Sequence, residues 1–65
     1  MISNLQLLNL GFHFRFGYWK LTINGLTLVL DSERFLTITK DMTSISVGFY
    51  TDVLKLTALI EGLKC

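Results

Sequence analysis

Hydrophobic and polar residues alternate along most of the first fifty positions, a pattern typical of β-strands that bury one face. Residues 12–16 alternate in this way, and residues 18–23 alternate again after Gly17. A two-residue hairpin loop ending at Gly17 would place Phe14 opposite Trp19, whereas a bulge at Gly17 would also reunite the apolar positions. We favour the hairpin.

The strongest turn signal is Asn24-Gly25, because both residues tolerate the positive φ angles of a type I′ hairpin. A turn at this point pairs Trp19 with Leu30 and puts every apolar residue of the two strands on one face. We therefore expect Trp19 at the centre of a buried sheet face, flanked by Phe14 and Leu30.

The next two connections are predicted from the same requirement for one apolar face. A three-residue loop at 31–33 pairs Leu28 with Leu36, whereas a two-residue loop would turn Leu36 to the wrong face. A loop at 40–43 then pairs Ile38 with Ile45 and Leu36 with Val47. The result is an antiparallel meander of about five strands.

A short helix is predicted before the meander. Ser3 or Asn4 can cap a helix over residues 5–10, and Gly11 can adopt the left-handed conformation just past its end. Its leucines lie nearly all round the helix axis, so one core face cannot absorb them all.

An amphipathic helix is predicted after the meander, capped by Thr51 or Asp52. Its apolar stripe should cover the apolar face of the sheet and consists of Val53, Leu56, Leu59, Ile60 and Leu63. The predicted fold class is therefore α+β, a single domain over 1–65 in which one C-terminal helix packs on one face of the sheet.

The composition changes this picture by adding an apolar excess. Hydrophobic residues make up 51% of the 65 residues, and the mean hydropathy is +0.52. A domain this small buries only about 60% of the surface that its unfolded chain exposes, so apolar surface must stay outside. The longest apolar run, 28–30, is far too short to span a membrane, and no secretory signal precedes it, so we expect a cytoplasmic protein.

The apolar excess predicts a protein interface. Leucines of the first helix and outward positions of the last helix have no place in one core, and Val29 and Phe35 should lie side by side on the outer sheet face, with Phe35 over Gly48. The candidate interface residues are Leu7, Leu10, Val29, Phe35, Leu54 and Ala58. We expect them to bind a protein partner or a second copy of the chain, as in a homo-oligomer.

A nucleic-acid surface is the weaker alternative, because the formal net charge is only +1 and no basic run exists. The outer face would offer positive charge and base stacking through His13, Arg15, Tyr18 and Lys20. Asp31 and a row of hydroxyl residues dilute that charge.

Residues for catalysis or metal binding are scarce. The chain has one histidine and one cysteine, His13 and Cys65, which lie far apart in the sequence, and its glycines occur singly rather than in a phosphate-binding loop. We expect no enzymatic activity, no metal and no cofactor.

Three short segments carry a resemblance to known sequences: Leu10-Gly11-Phe12, Gly17-Tyr18-Trp19 and the leucine-rich last helix. In this layout the chain resembles small uncharacterised proteins encoded by bacteriophages and mobile elements. The resemblance implies a viral protein of the host cytoplasm and carries over no activity or site. The predicted function is a non-enzymatic interaction module, for instance a phage accessory protein or a host-directed inhibitor.

Overall fold

The computed structural model describes residues 1–65 and contains two helices and one sheet. The elements are α1 (Asn4–Leu10), β1 (His13–Arg15), β2 (Tyr18–Ile23), β3 (Leu26–Leu30), β4 (Phe35–Lys40), β5 (Thr43–Phe49) and α2 (Val53–Lys64). The strands form one antiparallel sheet in the order β1-β2-β3-β4-β5, with both helices joined to its ends. The predicted α+β meander is confirmed.

Helix α1 begins at a capping box. The Ser3 hydroxyl accepts a hydrogen bond from the Gln6 N–H, while the Gln6 side chain accepts one from the Ser3 N–H. Gly11 ends the helix with φ 102°, and the N–H of Phe12 donates to the carbonyl of Leu7. Of the two predicted caps, Ser3 is therefore the one used.

The first two hairpins have the predicted register. Phe14 pairs with Trp19 across a two-residue turn, and Trp19 pairs with Leu30 on its other side. Asn24 and Gly25 have φ angles of 49° and 80°, as a type I′ turn requires. The face of the sheet that carries Trp19 is called the inner face below.

The predicted register between β3 and β4 is wrong by two residues. Leu36 pairs with Leu30, not with Leu28, which pairs with Ile38. A shift of two residues keeps each side chain on its face, so the apolar pattern could not reveal it.

Two local interactions explain the longer connection at 31–34. One carboxylate oxygen of Asp31 accepts hydrogen bonds from the N–H groups of Glu33, at 2.8 Å, and Phe35, at 3.0 Å. Arg34 adopts a φ of 68° and belongs to the loop instead of starting the next strand. The Asp31 carboxylate thus reinforces the backbone hydrogen bonds of a turn that contains no glycine.

The pairing of β4 with β5 is partly as predicted. Ile38 faces Ile45 as expected, but Leu36 faces Gly48 and not Val47, because an extra residue bulges from β5 there. Gly48 has a φ of 140°, a conformation that residues with a Cβ rarely adopt. The bulge therefore sits where the chain supplies a glycine.

The core lies between the inner face and the two helices. Its buried apolar residues are Ile2, Leu7, Phe12, Trp19, Ile23, Leu28, Leu30, Leu36, Leu56 and Ile60. Helix α2 begins at Asp52, whose carboxylate accepts the N–H of Leu54 at 2.9 Å, and its predicted stripe packs against this core. The stripe does not cover the whole inner face, however: Phe14 in β1 is 58% exposed and Ile45 in β5 is 63% exposed.

Candidate functional site

The exposed large apolar side chains fall into two stretches of the chain, with none between residues 19 and 41. The first, called the N-terminal group, consists of Met1, Leu5, Leu8, Phe14, Phe16 and Tyr18. The second, called the β5 group, consists of Met42, Ile45, Val47 and Phe49, and Leu54 on α2 is exposed as well. The two groups include both edge strands of the sheet.

Helix α1 contributes to the N-terminal group through different leucines from those predicted. Leu7 is completely buried in the core, so its assignment to an interface is wrong. Leu10 is half-buried and packs against the core, whereas Leu5 and Leu8 are exposed. Leu5 and Leu8 are three positions apart and lie on one side of the helix, away from Leu7.

The predicted apolar spot of Val29 and Phe35 does not form. The corrected register puts Val29 opposite Thr37, and it puts Phe35 opposite Phe49. The rings of Phe35 and Phe49 meet edge to face, with centroids 5.0 Å apart. Val29 and Phe35 are both half-buried, and Phe35 lies over Phe49 and not over Gly48.

Leu54 and Ala58, the two α2 residues of the predicted interface, are both exposed. Leu54 is 75% exposed. Ala58 is exposed too, and it lies beside β5. It lines an open groove of about 580 Å³ together with Val47, Gly48, Phe49, Tyr50, Lys55 and Leu59. The groove separates α2 from the last strand, and Gly48 contributes no side chain to fill it.

The four residues of the predicted nucleic-acid face lie together on the outer face. His13 pairs with Lys20 and Arg15 pairs with Tyr18, and all four are exposed. The two-residue shift of β4 removes Phe35 from the row that holds His13 and Lys20. Binding of nucleic acid by this face stays a prediction.

Sequence reasoning missed Arg34, the only buried charged residue. Its guanidinium donates from Nε to the Ile2 carbonyl at 3.0 Å, from Nη2 to Asn4 Oδ1 at 3.0 Å, and from Nη1 to the Asp31 carbonyl at 3.4 Å. The one ion pair of the chain joins Lys64 and Glu61 on α2, so no carboxylate balances this guanidinium. Arg34 thus holds the first residues of the chain against the β3–β4 loop.

No sequence signal marked this role, because an arginine before a strand is usually solvent-exposed. A register that placed residue 34 outside β4 would have been the only indication. The role of the side chain is structural: its hydrogen bonds hold Ile2 and Asn4 in place, and with them the start of α1.

The fold contains neither a cluster of metal-binding side chains nor a helix that could span a membrane. No three His, Cys, Asp or Glu side chains lie close enough together to hold a metal ion. No helix combines the length and the apolarity needed to cross a bilayer. Comparison with protein-family models, with curated proteins and with solved structures found no match.

Proposed function

We propose that this protein is a non-enzymatic interaction module, which associates with itself or docks on a larger protein. The observation that carries the proposal is the distribution of apolar surface. The middle of the chain, residues 19–41, exposes no large apolar side chain, whereas the stretches on either side expose several each. Single exposed leucines are ordinary, but clusters at sheet edges favour a contact surface.

Phe16 adds to this support. It occupies the β1–β2 turn with a φ of 50°, and its side chain is 91% exposed. A left-handed conformation costs a residue with a side chain about 1–2 kcal/mol. An exposed aromatic ring contributes no free energy of burial to offset this cost in the isolated fold. A ring held in this way is well suited to contact another protein.

The resemblance to small phage and mobile-element proteins supports a setting for this activity. A phage-encoded accessory protein or a host-directed inhibitor would act in the host cytoplasm by binding a larger protein. Such a role needs a rigid small fold with exposed apolar side chains and does not need catalytic groups.

The proposal is tested with the double variant Leu8→Ser/Phe16→Ser and the control Asn9→Ser/Thr22→Ser, which alters exposed polar positions of α1 and β2. Light scattering gives the mass of each protein, and affinity capture from host extract gives the bound proteins. We expect wild type and control to form an oligomer, or to retain a protein that the double variant loses. A monomeric wild type whose captured proteins equal those of the double variant would contradict the proposal.

The alternative, a small nucleic-acid-binding protein, is favoured by one observation: the pairing of β1 with β2 brings three of the basic or titratable side chains next to Tyr18. It predicts binding to single-stranded oligonucleotides that weakens steeply with salt, and that weakens further in Tyr18→Ala and Lys20→Ala. Fluorescence anisotropy at low ionic strength is the measurement. Binding that is absent or independent of salt would remove this alternative.

A further inference from the structure

We infer that the free edge of β5 is a homodimer interface, at which a second copy of this chain adds its own β5 antiparallel to the first about a two-fold axis at Ile45. The inference rests on the proposed function and names its partner. The result is one continuous sheet of ten strands with all helices on the same side, because such an axis is perpendicular to the sheet.

The backbone of β5 has hydrogen-bonding groups without a strand partner, since β5 is the last strand of the sheet. Lys40 and Thr43 close a two-residue turn, so Thr43 and Ile45 bond to β4 while the N–H and C=O groups of Ser44 and Ser46 point outward. Proteins usually protect such an edge with charge, proline, a covering loop or a β-bulge, and the bulge of β5 lies beyond Ser46, which leaves residues 43–46 without any of these devices. Residues 43–49 contain no charged residue and no proline.

The straight part of β5 before the bulge is self-complementary. A two-fold axis at Ile45 pairs Ser44 of each copy with Ser46 of the other, which forms about four backbone hydrogen bonds. The same register sets Ile45 against Ile45 on the inner face, as a close pair without hydrogen bonds. Hydroxyl side chains then meet hydroxyl side chains on the outer face, and apolar side chains meet apolar ones on the inner face.

The register also gives the β4–β5 turn a place to bind. Met42 has a φ of 67° and its side chain is 100% exposed, which is an unfavourable state for an apolar residue in a monomer. Extending the pairing from Ile45 brings the turn residue Met42 toward the bulge of the second copy, beside the groove between β5 and α2. Asp41 of the turn then approaches Lys55, which lines that groove, so opposite charges meet at both ends of the interface.

The area buried in the contact bears on the affinity that we expect. Stable interfaces bury about 800 Å² on each partner, which is about a fifth of the 4423 Å² that this chain exposes. A pairing of three residues from each strand, with Met42 at the groove, belongs to the low end of interface sizes, where complexes are weak. We therefore expect a dimer with a dissociation constant in the micromolar range.

Sedimentation equilibrium of the full chain from about 10 µM to about 1 mM tests the inference. The mass of wild type should rise from 7.4 kDa toward twice that value. Ile45→Lys puts two like charges into the close pair at the axis, and Ser44→Pro removes an outward N–H. Each should raise the dissociation constant about tenfold or more, with the monomer fold kept because both changes are at exposed positions of an edge strand.

Two controls separate this interface from others. Ser46→Ala keeps the backbone donor, and Leu54→Lys charges an exposed apolar position on α2; both should dimerise like wild type. Amide exchange in wild type gives a readout without mutation, since the Ser44 and Ser46 amides should become protected as concentration rises. A wild type that stays at 7.4 kDa, or amides that remain unprotected in an oligomer, would overturn the inference.

The same experiment distinguishes the inference from the proposed function. If Leu54→Lys abolishes association while Ile45→Lys does not, the β5 interface is wrong and self-association through α2 is right. If wild type is monomeric throughout, self-pairing is wrong, and the capture experiment with Leu8→Ser/Phe16→Ser decides whether the protein docks on another partner.

Discussion

The central strands and the edge strands of the sheet carry the same alternating pattern but have different surroundings. Trp19, Leu30 and Leu36 on the central strands are buried, whereas Phe14 and Ile45 occupy equivalent inner positions on β1 and β5 and are more than half exposed. Alternation thus decides which face a residue is on, and the helices decide whether that face is covered.

The physical reason is the size of the helices. A helix about 10 Å in diameter covers about two strands spaced 4.8 Å apart, and five strands are wider than that. Helix α1 has only 7 residues, so it adds only a short length of cover. The uncovered edges are where the proposed interaction surfaces lie.

The largest expected contrast is between Trp19→Ala and Ile45→Ala, two truncations on the same face. Trp19→Ala should lower the free energy of unfolding by about 3–5 kcal/mol, because it leaves a cavity at the centre of the core. Ile45→Ala in the monomer should lower it by well under about 1 kcal/mol. Chemical denaturation at low protein concentration measures both, and equal losses would show that the edge is covered in solution.

The next contrast concerns Arg34, whose hydrogen bonds hold the start of α1 against the core. Arg34→Ala should lower the free energy of unfolding by about 2–3 kcal/mol, since the buried Ile2 carbonyl loses its hydrogen-bond donor. Asn4→Ala, the matched control, removes only the part-buried partner of Nη2 and should lower it by about 1 kcal/mol or less. An Arg34→Ala variant as stable as wild type would mean that α1 needs no such anchor.

A smaller effect is expected at the far end of α2. The Asn24 side chain donates from Nδ2 to the Leu63 carbonyl at 2.7 Å, which ties the β2–β3 turn to the last turn of the helix. Asn24→Gly keeps the left-handed turn and removes this bond, so it should lower the free energy of unfolding by about 0.5–1 kcal/mol. Thermal melting followed by circular dichroism detects the change, and a stabilised variant would contradict the role given to this bond.

The smallest effect is expected on the outer face, which no helix covers. Thr27 lies there between Thr22 and Thr39 and is half-buried by its neighbours. Thr27→Ala should lower the free energy of unfolding by well under about 1 kcal/mol. A loss as large as that of Trp19→Ala in the same denaturation assay would reverse the assignment of the two faces.

Local chemistry in the sequence was sufficient for the elements, their order and their faces, except at the end of β5, where the bulge turns Gly48 to the inner face and Phe49 to the outer face. Asn24-Gly25 defined one turn, and the alternation defined the apolar face of most strand residues. The helix caps were each narrowed to two neighbouring residues, of which Ser3 and Asp52 are used. These features depend on neighbours in the chain, so they are readable without knowing what packs against them. The clustering of His13, Arg15, Tyr18 and Lys20 followed from the same register.

Tertiary structure alone decided the pairing of β3 with β4 and the exposure of the leucines. A shift of two residues leaves the apolar pattern unchanged, whereas the true register leaves Arg34 outside β4, where it holds Ile2 from the far end of the chain. Leu7 is buried while Leu5 and Leu8 are not, because the orientation of α1 depends on where Arg34 holds Ile2. A repeating apolar pattern shows which residues of a strand or helix share a face. Which residues pair across strands, and which side chains are buried, depends on contacts between residues distant in the chain.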